Sequence, residues 1–230
     1  MAYFDAGRYD DAVKCYRSHR FHVAEGQRDL HDHYAIALLG RAMAHLSAGR
    51  NKQALADLDA SLEYPENLSI GRSARTGSNA TVQYWRGVAL MGLGRPDDAQ
   101  KAWQQGVENL RFRRRRRFYR PESALNAVHA VMIFRRLDQP NRADALARQI
   151  QDAARRLEAS DAPRGRALAA MIAGFLAAAD GQQAAGLLDK AQGVPGTTGY
   201  LRVIRTWAEL LKRSPASQPA KRPQEPPERS

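Results

Sequence analysis

Gly94-Arg95-Pro96-Asp97-Asp98-Ala99 sets the architecture of this chain, because the chain repeats it. Gly7-Arg8-Tyr9-Asp10-Asp11-Ala12 and Gly49-Arg50-Asn51-Lys52-Gln53-Ala54 share its frame. Weaker copies stand at Asp138-Gln139-Pro140-Asn141-Arg142-Ala143 and Gly181-Gln182-Gln183-Ala184-Ala185. The anchors at 7, 49, 94, 138 and 181 are 42, 45, 44 and 43 residues apart. A period of this size implies stacked units, each too small to bury its own apolar face.

The phrase reads as a turn between two helices. Glycine ends the first helix, because it takes a left-handed backbone without a Cβ clash. The acidic pair that follows suits the positive end of the next helix. The Ala five residues beyond the Gly faces the partner helix and lets the two axes approach. Helical periodicity flanks the turn: Val82, Trp85, Ala89 and Leu93 fall on one stripe before it, and Ala99, Trp103, Gly106 and Val107 on one after it. The fourth copy has Asp138 for Gly and the fifth has Gly186 near the expected Ala, so both are degenerate.

Gly87, Ala89, Gly94, Ala99, Trp103 and Gly106 resemble the tetratricopeptide repeat pattern of small and large residues, and Ala12 with Tyr16 and Ala54 with Leu58 resemble its second-helix half. That family repeats roughly every 34 residues; longer first helices and longer links account for the excess here. HEAT-like repeats have a nearer period but lack the Gly-x-x-x-x-Ala turn. The resemblance implies an all-α, tetratricopeptide-like helical-hairpin solenoid of about five hairpins plus a closing helix. It implies a concave groove lined by the first helices, with Tyr84, Val88 and Met91 facing it in the third hairpin. A protein or peptide would bind there. The chain is accordingly expected to be a non-enzymatic protein–protein interaction scaffold needing no cofactor.

A second, narrower resemblance rests on Phe21-His22-Val23-Ala24-Glu25-Gly26, on Tyr64-Pro65-Glu66-Asn67-Leu68-Ser69-Ile70-Gly71-Arg72 and on Tyr84-Trp85-Arg86-Gly87. These are similar to the C-terminal repeat array of large bacterial proteins of unknown function that carry an upstream mutarotase-like domain. It implies an accessory or remnant domain of a carbohydrate-active protein, and it carries over no catalytic residue.

Helical pairs are expected at about 2–6 with 9–18, 30–48 with 51–64, 78–93 with 96–109, 122–137 with 140–158, and 164–180 with 182–192, followed by a closing helix at 198–213. Pro65, Pro121, Pro163 and Pro195 fall between pairs, where a helix must end. The array is expected to occupy 1–213, with its first hairpin truncated: only six residues precede Gly7. Either Met1 is not the native start or an upstream segment covers that face. Residues 67–78 read as a loop. Residues 214–230 hold five of the 11 prolines among Lys, Arg and Glu, and read as a disordered basic tail.

The net charge of +12 is uneven. Arg111, Arg113, Arg114, Arg115, Arg116, Arg117 and Arg120 put seven arginines into ten residues, interleaved with Phe112, Phe118 and Tyr119. Such a segment suits phosphates with stacked bases, an acidic protein, an anionic lipid surface, or simply a solvated linker whose Phe112 and Tyr119 pack back on the array. No nucleic-acid fold signature accompanies it.

Little else carries chemistry. The single cysteine, Cys15, excludes an internal disulfide and suits a reducing, cytoplasmic setting; beside Tyr16 it reads as a packed thiol. Met1-Ala2-Tyr3-Phe4-Asp5 is no secretory start, and the Ala-rich stretch 167–179 is too short to span a bilayer. His19, His22, His31 and His33 lie near Glu25, Asp29 and Asp32, but in no metal-ligand spacing, and read as a polar link. His45 and His129 read as satisfied structural groups. Gly71 to Gly77 imitates a phosphate loop, but Ser78 stands where lysine is required, and no Gly-x-Ser-x-Gly elbow occurs. Asp57, Asp59, Glu63 and Glu66 read as a solvated face.

Overall fold

A computed structural model describes residues 2–22, 29–69, 79–108, 110, 121–159, 162–182, 184–192 and 198–213. The described residues are all-α. In chain order the helices are α1 (Ala2–Asp5), α2 (Tyr9–Ser18), α3 (Asp29–Ser47), α4 (Asn51–Ala60), α5 (Ala80–Gly92), α6 (Pro96–Val107), α7 (Pro121–Arg136), α8 (Pro140–Glu158), α9 (Pro163–Ala179), α10 (Ala185–Asp189) and α11 (Thr198–Arg213). A short 3₁₀ turn spans Glu66–Leu68. No helix among the described residues is long and apolar enough to cross a membrane.

The repeated phrase makes the same turn five times. Gly7, Gly49, Gly94 and Gly181 take φ of +75°, +70°, +71° and +70°, and Asp138 takes +53°. One residue later the backbone N–H reaches back across the turn. Arg8 donates to the Tyr3 carbonyl at 2.8 Å, Arg50 to His45 at 2.9 Å, Arg95 to Leu90 at 2.9 Å, Gln139 to Phe134 at 2.8 Å and Gln182 to Ala177 at 2.8 Å. These bonds close Schellman motifs, so the last carbonyls of each first helix are satisfied by the turn itself. Aspartate holds the fourth position because it enters the left-handed region more easily than most side chains.

Beyond the first four turns the expected alanine is buried: Ala12, Ala54, Ala99 and Ala143 are at most 3% exposed. Tight contacts across the hairpins explain several glycines. A Cβ on Gly87 would lie 2.0 Å from the Trp103 indole nitrogen, and one on Gly174 would lie 2.6 Å from Leu188 Cδ2. Trp103 also donates its indole N–H to the Tyr84 carbonyl at 3.1 Å. In the third and fifth hairpins the two helices therefore meet at a glycine.

Two second helices are shorter than the periodicity predicts. α4 stops at Ala60, where the Ser61 hydroxyl donates back to the Leu58 carbonyl at 2.7 Å. α10 begins only at Ala185 and ends at Asp189, since Gly186 stands inside it. Pro121 and Pro163 do mark boundaries, but as first residues of helices rather than stops. The first helical position suits proline, whose missing N–H would find no intrahelical acceptor there.

The Tyr64–Ser69 run clamps the first hairpin to the second. The Asn67 side-chain amide donates to the Tyr16 and His19 carbonyls at 2.7 and 2.8 Å, capping the end of α2. The Phe21 N–H donates to the Asn67 carbonyl at 2.8 Å, and the Ser69 hydroxyl to the Phe21 carbonyl at 2.6 Å. Tyr64 stacks on His31 with centroids 3.8 Å apart. Consecutive helices pack from α1 to α10, and α5, α7 and α9 also touch one another across the intervening helices. α11 breaks that order: it packs on α9, on α3 and on α1. The predicted tail, 214–230, lies outside the described residues.

Candidate partner-binding groove

α11 packs against α1, α3 and α9, and its Trp207 reaches α5 and α7. Its sequence is amphipathic: Gly199, Tyr200, Leu201, Val203, Ile204, Trp207 and Leu211 are buried, while Arg202, Arg205 and Glu209 face solvent. The buried positions follow the i, i+3, i+4, i+7 rhythm of one helix face. Full burial of each large apolar side chain contributes roughly 1.5–3 kcal/mol.

Trp207 is the centre of this contact and is fully buried. Its ring lies 6.1 Å from Trp85 on α5, 4.4 Å from His129 on α7 and 5.2 Å from Phe175 on α9, between centroids. One side chain thus ties three inner helices to α11. His129 is completely buried yet satisfied. Trp85 donates its indole N–H to His129 Nε2 at 2.8 Å, so the ring's proton sits on Nδ1, which donates to the Leu125 carbonyl at 2.8 Å. Burial pushes the His129 pKa down to about 4, against a smaller opposing effect of the Leu125 bond. The Trp207 indole N–H is buried and finds no acceptor among the described residues.

The outer contacts of α11 are polar, and its partners there are largely acidic. The Asp5 carboxylate accepts the Gly199 backbone N–H at 3.1 Å, and the Asp5 carbonyl accepts from Arg202 at 3.1 Å. Tyr200 donates its hydroxyl proton to Glu122 on α7. Arg205 pairs with Asp189 on α10 at 2.6 Å. Phe4 from α1 packs edge-on against Tyr200, with centroids 6.0 Å apart.

The three residues expected to face a concavity, Tyr84, Val88 and Met91, differ in exposure. Tyr84 is 1% exposed, and its ring lies 5.4 Å from that of His129. It stands T-shaped on Trp85 at 5.1 Å, and burial raises its hydroxyl pKa against the lowering effect of Arg136. Val88 is half-buried against the core, and Met91 is 46% exposed. Trp85, one residue further and about 100° round the helix, is the side chain that meets α11. Its place on the stripe with Val82 and Ala89 was the available signal.

Asp57 also corrects the sequence reading. It is 5% exposed and not part of a solvated face. Arg41 grips it with two bonds, at 2.8 and 2.6 Å, and also reaches Asp10 at 3.3 Å, so α2, α3 and α4 share one ion network. The bond to Asp57 raises the Arg41 pKa despite partial burial. His45 accepts from Arg50 at its Nδ1 and turns its Nε2 towards Asp57 at 3.6 Å. A neighbouring pair, Arg86 with Asp59 at 2.6 Å, joins α5 to α4.

Arg111, Arg113, Arg114, Arg115, Arg116, Arg117 and Arg120 lie outside the described residues. His19 takes a place at the end of α2, its Nδ1 3.0 Å from the Cys15 carbonyl, and His31 Nε2 lies 2.9 Å from the Glu63 carbonyl. Among the described residues no three His, Cys, Asp or Glu side chains converge as metal ligands. Two open clefts, of about 380 and 610 Å³, run beside Leu93 and Leu137. The chain matches no family model and no solved structure.

Proposed function

We propose that this chain is a tetratricopeptide-type array that works as a non-enzymatic protein–protein interaction scaffold. One observation carries the reading: an amphipathic helix, α11, is held against α5, α7 and α9 by the aromatic anchor Trp207 and against α10 by Arg205. Helix-in-groove seating is a recurrent mode of protein recognition. The five Schellman turns, spaced as the sequence repeats, support the repeat-array part of the reading.

Affinity capture from native lysate with the full chain, with and without nuclease, tests it. A discrete protein retained after nuclease, in stoichiometric amount, is the expected result. Retention of nucleic acid alone, lost on nuclease treatment, transfers the function to the arginine run at 111–120.

A further inference from the structure

We infer that two clefts, one beside Gly94 and one beside Asp138, together dock an extended acidic segment of a partner protein, one carboxylate in each. The inference rests on the scaffold reading and names the partner's chemistry.

The two clefts are built alike. In each, the second helix of one hairpin faces the left-handed turn of the next. The cleft of about 380 Å³ has Lys52, Leu55 and Asp59 from α4 on one side, and Leu93 and Arg95 on the other. The cleft of about 610 Å³ has Lys101, Gln104 and Val107 from α6, with Glu108 after them, on one side, and Leu137, Gln139 and Arg142 on the other. Each therefore offers apolar side chains from both sides and a cation from both sides.

Positive charge is in excess in both. Arg86 takes Asp59 at 2.6 Å, and Lys52 makes no ion pair among the described residues. Glu108 is outweighed by Lys101 and Arg142. Arg142 has no carboxylate partner among the described residues; it lies 4.3 Å from the centroid of the Phe134 ring and donates to Gln139 at 2.8 Å. It also stands against the local electrostatics. It occupies the first turn of α8, where the helix dipole favours an anion and no acidic residue is present. A carboxylate on this surface already shows what the cations hold. Asp98 takes Arg95 at 2.7 Å and Lys101 at 3.7 Å, one cation from each cleft.

The spacing describes the ligand. α5 and α7 pack directly, so one repeat advances by a helix-packing distance, roughly 8–10 Å. A polyproline-II segment has three residues per turn and rises about 3.1 Å per residue. Acids three residues apart on such a segment share a face and stand about 9 Å apart, one repeat step. The apolar walls then meet the residues between them.

The test uses the full chain and a fluorescein-labelled peptide that repeats Glu-Pro-Pro, followed by anisotropy. Its Gln-Pro-Pro counterpart is expected to bind about tenfold more weakly. Lys52→Glu and Arg142→Glu, both at exposed positions, should each weaken uptake of the Glu peptide about threefold to tenfold. Asp98→Asn removes the resident competitor for Arg95 and Lys101 and should strengthen it about twofold to fivefold. Lys190→Glu makes the same change of net charge at a residue that lines neither cleft, and should leave uptake unchanged. No uptake by the wild-type chain, equal binding of the two peptides, or an equal loss in Lys190→Glu overturns the inference.

Capture from lysate separates this from the scaffold reading. A discrete protein held equally by the wild-type chain and by the Lys52→Glu, Arg142→Glu double variant keeps the scaffold and overturns the clefts as its docking site. Peptide uptake in the expected pattern with no captured protein supports the clefts and counts against the scaffold.

Discussion

The third and fifth hairpins start from the same turn and end differently. Both turns hold glycine near φ +70° and both close the same backward hydrogen bond. In the third, Ala99, Trp103 and Gly106 continue the pattern, and α6 runs for 12 residues with Trp103 seated on Gly87. In the fifth, Gly186 is exposed where alanine is expected, and α10 runs for five residues with Leu188 and Leu187 seated on Gly174. The turn therefore depends on one backbone position, while the length of the second helix depends on side chains further on. Where those are lost, the second helix ends early.

Truncating the two anchors separates these roles and gives the largest expected effect. Trp103→Ala removes a buried indole between two helices that are packed on both sides, and should cost about 3–5 kcal/mol of global stability. Leu188→Ala removes the anchor of a five-residue helix at one end of the array. Its loss should appear as local opening of α10, because stacked repeats lose stability where they are cut. Urea unfolding with hydrogen exchange distinguishes the two. Equal global losses would mean that the fifth hairpin is as integral as the third.

The fold was legible where a backbone requirement repeats. A left-handed residue every 42 to 45 positions can be read from Gly7, Gly49, Gly94 and Gly181 directly, and even from Asp138. The faces that meet α11 were less legible, because which face turns inward depends on how neighbouring hairpins rotate against each other. Tyr84 and Trp85 are adjacent, equally large and aromatic, and local periodicity admits both as inner residues. Trp85 reaches Trp207 directly, whereas Tyr84 reaches only His129 beside it. Asp57 was misread for a related reason: its partner Arg41 lies on another helix, 16 residues away. The seating of α11 was not legible, since no spacing within α11 names the helices it meets.

His129 gives the centre of the molecule a pH dependence. Its folded pKa of about 4 lies below the ordinary value of 6.5. Between those values the unfolded chain binds a proton that the folded chain excludes, so stability falls as pH falls through the window. The contribution is full above about pH 6.5, levels off below about pH 4, and is on the order of 3 kcal/mol over the whole range. Urea midpoints measured at pH 7 and pH 4.5 should drop less in His129→Gln than in the wild-type chain. The midpoint loss at pH 7 reports the lost contacts to Trp85 and Trp207, and the change in pH slope reports the proton.

The smallest effect isolates the turn itself. A side chain at Gly94 would meet nothing within 4 Å, so a cost of Gly94→Ala cannot come from crowding by neighbours. It comes from the φ of +71°, where an L-residue is worse by about 1–2 kcal/mol. Asp138 is the reverse case, a side chain already held at φ +53°. Asp138→Gly relieves that backbone but also loosens the unfolded chain, which costs stability by roughly 0.4–1 kcal/mol. The expected balance is a gain of less than about 1 kcal/mol, read as a small rise in melting temperature. Gly94→Ala lowering it while Asp138→Gly raises it assigns the repeat to backbone geometry. A drop in both would mean that the Asp138 carboxylate supplies something that glycine cannot, and that the fourth turn is held differently from the other four.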